Sequence, residues 1–565
     1  MDKSDRLLKN AEAMPTVAEL IVSGLVRAGV ARLFGVPGGG SNLEVLEAAR
    51  VQGLPFVLCH QEWAACLMAA VTGELTGRPG AVLSTLGPGV TASATGLAHA
   101  LLDRSPLIYL SDRHPDKALT FTTHQTVDHA AHAGAVAKGT VTVTPESAGH
   151  WVAHAVQLAL AEPRGPVHLD LPADVADREA LPVATSVTPP LPARPDDAAL
   201  ARAAALIRGA RRPVILAGLG CRSADTKWLR AFAEALPAPV LTTYKAKGAL
   251  ADPHPLAMGV VTGGALEEPF VRQADLIIAF GLDTVELIPR AWPYTAPVLN
   301  LTRCASGSPG LRAPGGGAYF TPAAEVVGDL GTILEDLAPR LAGAASADWD
   351  VAAVDRWRRE RRAALEVAVS GLAPHRVVQL ARELTPEGTI ATVDAGAHMF
   401  PTTAYWDATE LGECLISNGL ATMGFALPAA IAAQLVHPDR RVVCFTGDGG
   451  LMMVAAELET VARLRLPLLI VVFDDQALSL IDVKQMQRGL AGTSMRYAGP
   501  DLAALARAFG IRAWIAEDET TFRNALVAAQ ASAAPALIAA RIDASGYLKT
   551  LEIVRGAGPV ASRQP

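Results

Sequence analysis

Between residues 440 and 481 the chain alternates apolar runs with small and acidic residues. Val442 to Thr446 is almost uninterruptedly apolar, which predicts a strand buried on both faces. Gly447, Asp448, Gly449 and Gly450 follow, predicting a turn of small residues with one carboxylate at its tip. Leu451 to Leu464 has helical spacing, with Leu451, Val454, Leu458 and Val461 on one face. Leu468 to Phe473 predicts a second buried strand that stops at Asp474 and Asp475. Such a β-α-β unit delivers both acids to one edge of a parallel sheet, beside a helix N-terminus. A phosphate and its divalent metal bind at that kind of edge.

The same alternation runs through the rest of the chain. Thr16–Ala28 reads as an amphipathic helix, Ala31–Val36 and Pro55–Leu58 as strands, and Trp63–Leu75 as an apolar helix. Ala81–Thr85 is a strand before Gly87-Pro88-Gly89, which opens another helix, and Val167–Leu171 is a later strand. Pro213–Ala217, Leu276–Phe280 and Thr389–Val393 continue the series. Strand alternating with helix predicts an α/β protein with doubly wound parallel sheets. A chain of 565 residues exceeds one core, and three α/β domains are expected, over 10–180, 196–341 and 360–550. Proline-rich Leu181–Arg194 and Ala342–Asp348 read as the linkers.

Composition narrows the function. The net charge of −7, without Lys/Arg clusters, argues against a nucleic-acid partner. Six cysteines (Cys59, Cys66, Cys221, Cys304, Cys414, Cys444) are scattered without metal-ligand spacing, as expected of reduced thiols in a cytoplasmic protein. No apolar run is long enough for export or for a membrane span.

A GDG turn, some two dozen residues, then a polar pair at the next strand end resembles the signature of thiamine-diphosphate enzymes. Further segments carry the resemblance: FGVPGG at Phe34–Gly39, HQE at His60–Glu62, TGRPG and TLGPG at residues 76–89, GPVHLDLPADV after Arg164, and NGLATMGFALPAA at Asn418–Ala430. In order and approximate spacing they are similar to the acetolactate synthase large subunit. The resemblance implies a pyrimidine-binding first domain, a middle domain and a diphosphate-binding third domain. It implies decarboxylation of a 2-keto acid with carboligation to a second carbonyl, in a homodimer or homotetramer that needs thiamine diphosphate and Mg²⁺.

Residue by residue, the resemblance implies that Asp448, Asp475 and the Ala477 carbonyl hold Mg²⁺. Asp475 stands where the family usually has Asn, which adds negative charge beside a diphosphate; an aspartate oxygen still suits the ion. Pro37, Gly396, Ala397, His398, Gly447, Gly449, Gly450 and Leu478 would contact the cofactor, and Met423 would wedge between its rings. Glu62 would be the acid facing the aminopyrimidine, where a raised pKa is required. Gln125 would face substrate, with Lys138 at another position where relatives carry a lysine. Thr91-Ala92 replaces the family's Thr-Asn.

Some segments leave alternatives open. His124, Asp128, His129 and His132 cluster as a metal site would, but a polar loop leading into a helix capped by Asp128 explains them more simply. The middle domain carries Gly218-Leu219-Gly220, a weak nucleotide signal. FAD is a further candidate there, disfavoured because GVVTGGA (Gly259–Ala265) lacks the histidine of flavin-using relatives. Lys484 lies where acetolactate synthases place a large aromatic, which argues against their standard branched-chain acceptor and leaves two readings, a contact to an anionic group on the substrate or a solvated helix residue. A simple 2-keto-acid decarboxylase, a carboxyethylarginine-synthase-like enzyme and a non-catalytic binding relative are the competing readings.

Overall fold

The computed structural model describes residues 14–556, except 184, 189–190, 193, 309–317, 344–346, 491 and 493. The chain divides into two compact units between Leu191 and Pro192. Parts of both expected linkers lie outside the described residues.

The first unit holds one six-stranded parallel sheet, built from β1 (Leu33–Val36), β2 (Phe56–Leu58), β3 (Gly80–Ser84), β4 (Leu107–Arg113), β5 (Thr140–Thr142) and β6 (Pro166–Pro172), in the order β2-β1-β3-β4-β6-β5. The amphipathic helix that opens it, Val17–Arg27, begins with a reciprocal cap between Thr16 and Glu19. It buries Val17, Ile21, Val22 and Leu25 against the sheet's core.

The second unit holds two more parallel sheets. The central one comprises β7 (Pro213–Ala217), β8 (Val240–Thr242), β9 (Ala257–Val260), β10 (Leu276–Phe280), β11 (Val298–Thr302) and β12 (Ala324–Val327). Its order, β9-β8-β7-β10-β11-β12, is that of doubly wound dinucleotide-binding sheets. The last sheet comprises β13 (Ile390–Val393), β14 (Cys414–Ile416), β15 (Val442–Gly447), β16 (Leu469–Asp474), β17 (Arg512–Ala516) and β18 (Ala536–Arg541). Its order, β14-β13-β15-β16-β18-β17, repeats that of the first unit. All three sheets are covered by helices and have strands of apolar residues, as burial on both faces demands.

Two local expectations are corrected. Gly447–Gly450 is not a free turn: β15 runs through Gly447, and Asp448 begins a helix, Asp448–Met453. Strand passes directly into helix because the two following glycines have no side chains to collide. A Cβ added to Gly450 would lie 2.1 Å from Asp394 Oδ2. The helix expected over Leu451–Leu464 is also divided, restarting as Glu457–Arg463. The restart turns Glu457 fully inward, where it accepts from Thr460 Oγ1 at 2.7 Å. Five of the cysteines are buried and none of the six forms a disulfide. Among the described residues no helix is long and apolar enough to cross a membrane.

Candidate active site

In the last sheet the chain leaves β13 towards β14 on one side and returns to β15 on the other. The loops after β13 and β15 therefore open a crevice at the carboxyl edge of the sheet, the usual place for a ligand in such folds. Asp394 ends β13 and is fully buried. Its carboxylate accepts from the amides of Gly424 and Phe425, each at 3.0 Å, from its neighbour Ala395 at 3.1 Å, and from Thr446 Oγ1 at 2.8 Å. One side chain thus fixes three segments together: the loop 394–398, the Met423–Gly424 turn and the end of β15. Burial nevertheless raises its pKa to about 6.

Around this hub lie most of the third-domain residues marked in the sequence. A Cβ at Gly449 would meet Leu478 Cδ2 at 2.9 Å, Tyr497 Oη at 3.2 Å and Met423 Cε at 3.5 Å. Those four residues therefore line one small cradle. His398 packs its ring against Gly396 and Gly447 and stacks on Phe473 at 5.1 Å. Burial lowers the His398 pKa to about 3, so the imidazole is neutral, and its Nε2 has no hydrogen-bond partner. Ala397 is buried in the same loop.

Asp448 and Asp475 are brought together at the ends of β15 and β16. Asp448 Oδ1 accepts from the Gly449 amide at 2.8 Å, and the Tyr497 hydroxyl and Gln476 amide lie close enough to act on its pKa. Its Oδ2 is buried without a partner. Asp475 accepts from Ser479 Oγ at 2.6 Å. Burial, reinforced by neighbouring carboxylates, raises Asp448 to about 6 and Asp475 to about 7. A buried and a half-buried acid side by side, one with an orphaned oxygen, offer a donor set suited to a hard metal ion. No group of three or more His, Cys, Asp or Glu side chains is gathered for a metal among the described residues. An ion here would thus rely on this pair, a backbone carbonyl and oxygens of its ligand. Ala477, whose carbonyl is the third expected donor, is held by a bridge to Arg496, and Leu478 N–H donates to the Met495 carbonyl at 2.8 Å.

Tyr497 and the strap 495–497 carrying it had no signal in the sequence. They lie some twenty residues beyond the acids and reach them only through this backbone pairing.

The first unit presents its own crevice between β1 and β3. Pro37 begins the loop 37–41, whose Gly40 and Ser41 amides donate to Asp112 at 3.0 and 3.1 Å. Glu62 is the first residue of the helix Glu62–Thr76, and burial raises its pKa. Gly87 takes a left-handed φ of +49°, and a Cβ there would strike the Gln125 carbonyl oxygen at 2.3 Å. The Gly87 amide donates to His129 Nε2 at 3.1 Å, while His129 Nδ1 pairs with Asp170 at 2.9 Å. Gln125 is therefore held beside the GPG turn with its side chain exposed. His129 serves that turn, and Asp128 caps its helix by accepting from the Ala131 amide, as the simpler reading of the histidines required. Lys138 is placed elsewhere. Its ammonium donates to the Leu158 and Ala161 carbonyls, at the C-terminal end of the helix Ala148–Leu160.

The central sheet carries a glycine turn at its own crevice, Gly218–Gly220 after β7. Glu286, buried, occupies it. Its carboxyl accepts from the Leu219 amide at 2.8 Å and contacts Thr243 Oγ1 at 2.5 Å. A second glycine segment, 262–264, gives its Thr262 and Gly264 amides to buried Glu267, at 2.8 and 2.7 Å. The Leu219, Thr262 and Gly264 amides are thus spent inside the domain.

Comparison with known proteins agrees with these observations. Residues 15–132 match the model of the thiamine pyrophosphate enzyme N-terminal TPP-binding domain, 200–337 the central domain, and 394–540 the C-terminal TPP-binding domain. The acetolactate synthase of Bacillus subtilis is 28% identical over 544 residues, covering 94% of this chain and 93% of the relative. The acetolactate synthase large subunit of Parasynechococcus marenigrum is 30% identical over 555 residues, covering 94% and 88%. The catabolic acetolactate synthase of Raoultella terrigena is 30% identical over 544 residues, covering 93% and 95%.

Proposed function

The chain belongs to the thiamine pyrophosphate enzymes, and on that premise we propose that it decarboxylates a 2-keto acid and ligates the remaining fragment to a second carbonyl. The observation that supports this best is the cradle between β13 and β15, with its partnerless Asp448 oxygen, next to Met423 and Leu478. When bound, thiamine diphosphate supplies the nucleophilic carbon and the electron sink for such chemistry.

The chain's residues divide the remaining work. Asp448, Asp475 and the Ala477 carbonyl would hold Mg²⁺, whose charge would offset the mutual repulsion of the two acids. The backbone of Gly396–His398 and of Gly447–Gly450 would hold the diphosphate, with neutral His398 adding no charge to the loop. Met423 and Leu478 present apolar surface to the rings and exclude water from them. Glu62, its carboxyl raised by burial, keeps a proton to share with the aminopyrimidine nitrogen. Pro37 shapes the adjoining loop, and Gln125, exposed beside Gly87, orients the substrate. The central domain takes no flavin, because Glu286 and Glu267 fill its amide nests. The functional particle is a homodimer or homotetramer.

Incubation of the purified chain with thiamine diphosphate, Mg²⁺ and a panel of 2-keto acids tests the reading, with products identified by mass spectrometry. A ligated hydroxy-keto acid is the expected product. Aldehyde alone would make the enzyme a simple decarboxylase. Failure to release CO₂ from any keto acid while the cofactor is bound would overturn the proposed reaction.

A further inference from the structure

Two helices run outward from the acidic end of the candidate site. Ser479–Gln487 starts four residues after Asp475, to which Ser479 is hydrogen-bonded, and Tyr547–Arg555 packs against it. Tyr547, at the start of the second helix, lies within electrostatic reach of both Asp475 and Asp448. At their far ends these helices carry Lys484, Arg488 and Arg555. Lys484 and Arg488 are one helical turn apart on the same face. The Arg555 guanidinium sits over the Phe400 ring, 5.7 Å from its centre. Phe400 itself lies two residues after His398, so the cluster borders both loops of the cradle.

None of these cations forms an ion pair with a carboxylate among the described residues. Two of the three cations are partly enclosed, while Arg488 is exposed at the rim. Lys484 is half-buried, and Arg555 is partly covered where the Ala265 amide of the central domain donates to the Val554 carbonyl at 2.9 Å. Burial, then the charges of Arg555 and Arg488, pull the Lys484 pKa below the usual lysine range. Like charges held together without a counter-ion cost free energy unless an anion joins them. At about 1.5 Å of rise per residue, Lys484 lies about 7 Å beyond Ser479, and Arg555 about 12 Å beyond Tyr547. That spacing is the length of a short carbon chain measured outward from the metal-binding acids.

We propose that Lys484, Arg488 and Arg555 form a subsite for a second anionic group on the substrate, so that the enzyme takes dianionic 2-keto acids in preference to pyruvate. The substrate's second carboxylate or sulfonate binds at the far ends of the two helices, while its keto group lies towards the acids at their near ends. The inference rests on the proposed reaction for the identity of the keto acid, but the anion subsite itself does not depend on turnover.

The test therefore separates binding from catalysis. Calorimetry on the full chain with thiamine diphosphate and Mg²⁺ compares glutarate and 3-sulfopropionate with the monoanion butyrate. Glutarate or sulfopropionate should bind at least tenfold more tightly than butyrate, and Lys484→Met and Arg555→Met should each remove about tenfold of that preference. The affinity for thiamine diphosphate should be unchanged in both variants. In turnover, CO₂ release from 2-oxoglutarate or 3-sulfopyruvate should exceed that from pyruvate in kcat/KM, and the variants should lose this advantage through KM. Equal binding of mono- and dianions, or variants that weaken thiamine diphosphate instead, would overturn the proposal; the latter would assign the cations to the cofactor. Charge-selective binding lost in the variants, with no CO₂ from any keto acid, would uphold the subsite and remove the reaction class.

Discussion

At the scale of single residues, the carboxyls are distinguished by what surrounds them. Glu62 stands at a helix start where burial favours its protonated form. Glu62→Gln keeps the shape and removes the exchangeable charge. It should leave thiamine diphosphate affinity within about threefold while slowing cofactor C2–H exchange, followed by NMR, about 10²–10⁴-fold. Exchange at the wild-type rate would remove Glu62 from the chemistry. Asp448 is buried with one oxygen that has no partner, whereas Asp475 is half-buried and bonded to Ser479. Asp448→Ala should abolish Mg²⁺-dependent cofactor binding, because it deletes a charged ligand. Asp475→Asn keeps an oxygen donor and relieves a buried repulsion, so calorimetry should show binding retained or tightened. Loss of binding in Asp475→Asn would place the metal elsewhere.

Elements act through close approach. The helix Asp448–Met453 can begin at the strand end only because Gly450 leaves room for Asp394, whose carboxylate also holds the Met423–Gly424 turn. Gly450→Ala forces a methyl group to within 2.1 Å of that carboxylate unless the hub shifts. We expect a loss of about 1–3 kcal/mol in stability from overpacking. Cofactor affinity should fall at least tenfold, since three loops lose their shared anchor. Denaturant titration alongside cofactor titration checks both, and an Ala variant with wild-type values in each would show that Asp394 does not couple the loops. In the first unit His129 plays a comparable part, accepting from the Gly87 amide while anchored to Asp170. Its sequence surroundings left a metal site as the less simple alternative to a polar loop; its contacts show a support for a turn.

For the whole molecule, one fold type is used for different ends. The first and last sheets share a strand order, whereas the central sheet has the nucleotide-binding order and places buried Glu286 against its glycine turn. Burial raises the Glu286 pKa from 4.5 to about 8. A folded-state value above the unfolded one gives stabilisation that is complete below about pH 4.5 and is lost as pH rises through 8. Glu286→Gln has no such proton to lose. Its amide oxygen can accept from Leu219 and its amino group can donate to Thr243, so its stability relative to wild type should rise between pH 5 and 8.5, by the order of 1–3 kcal/mol. Parallel pH profiles in denaturant would show Glu286 ionised throughout. The protein should also purify without flavin absorbance and show no saturable FAD binding; tight FAD binding would mean that the carboxyl can be displaced.

The sequence by itself determined the architecture and the positions of the local chemistry. Apolar runs long enough for buried strands, ending in Asp394, Gly447-Asp448 and Asp474-Asp475, are readable because strand, turn and helix preferences act over a few residues. Pro213–Ala217 and Leu276–Phe280 form the strands that their apolar runs predict. What the tertiary structure alone decided are relations between distant segments. Asp394 became a hub through amides thirty residues away, and Tyr497 reached Asp448 through a backbone pairing. Lys138 turned to a helix end, and Glu286 filled a turn more than sixty residues before it. No periodicity encodes such partners. They are selected when burial forces each amide and carboxyl to find a hydrogen bond within reach of the folded chain.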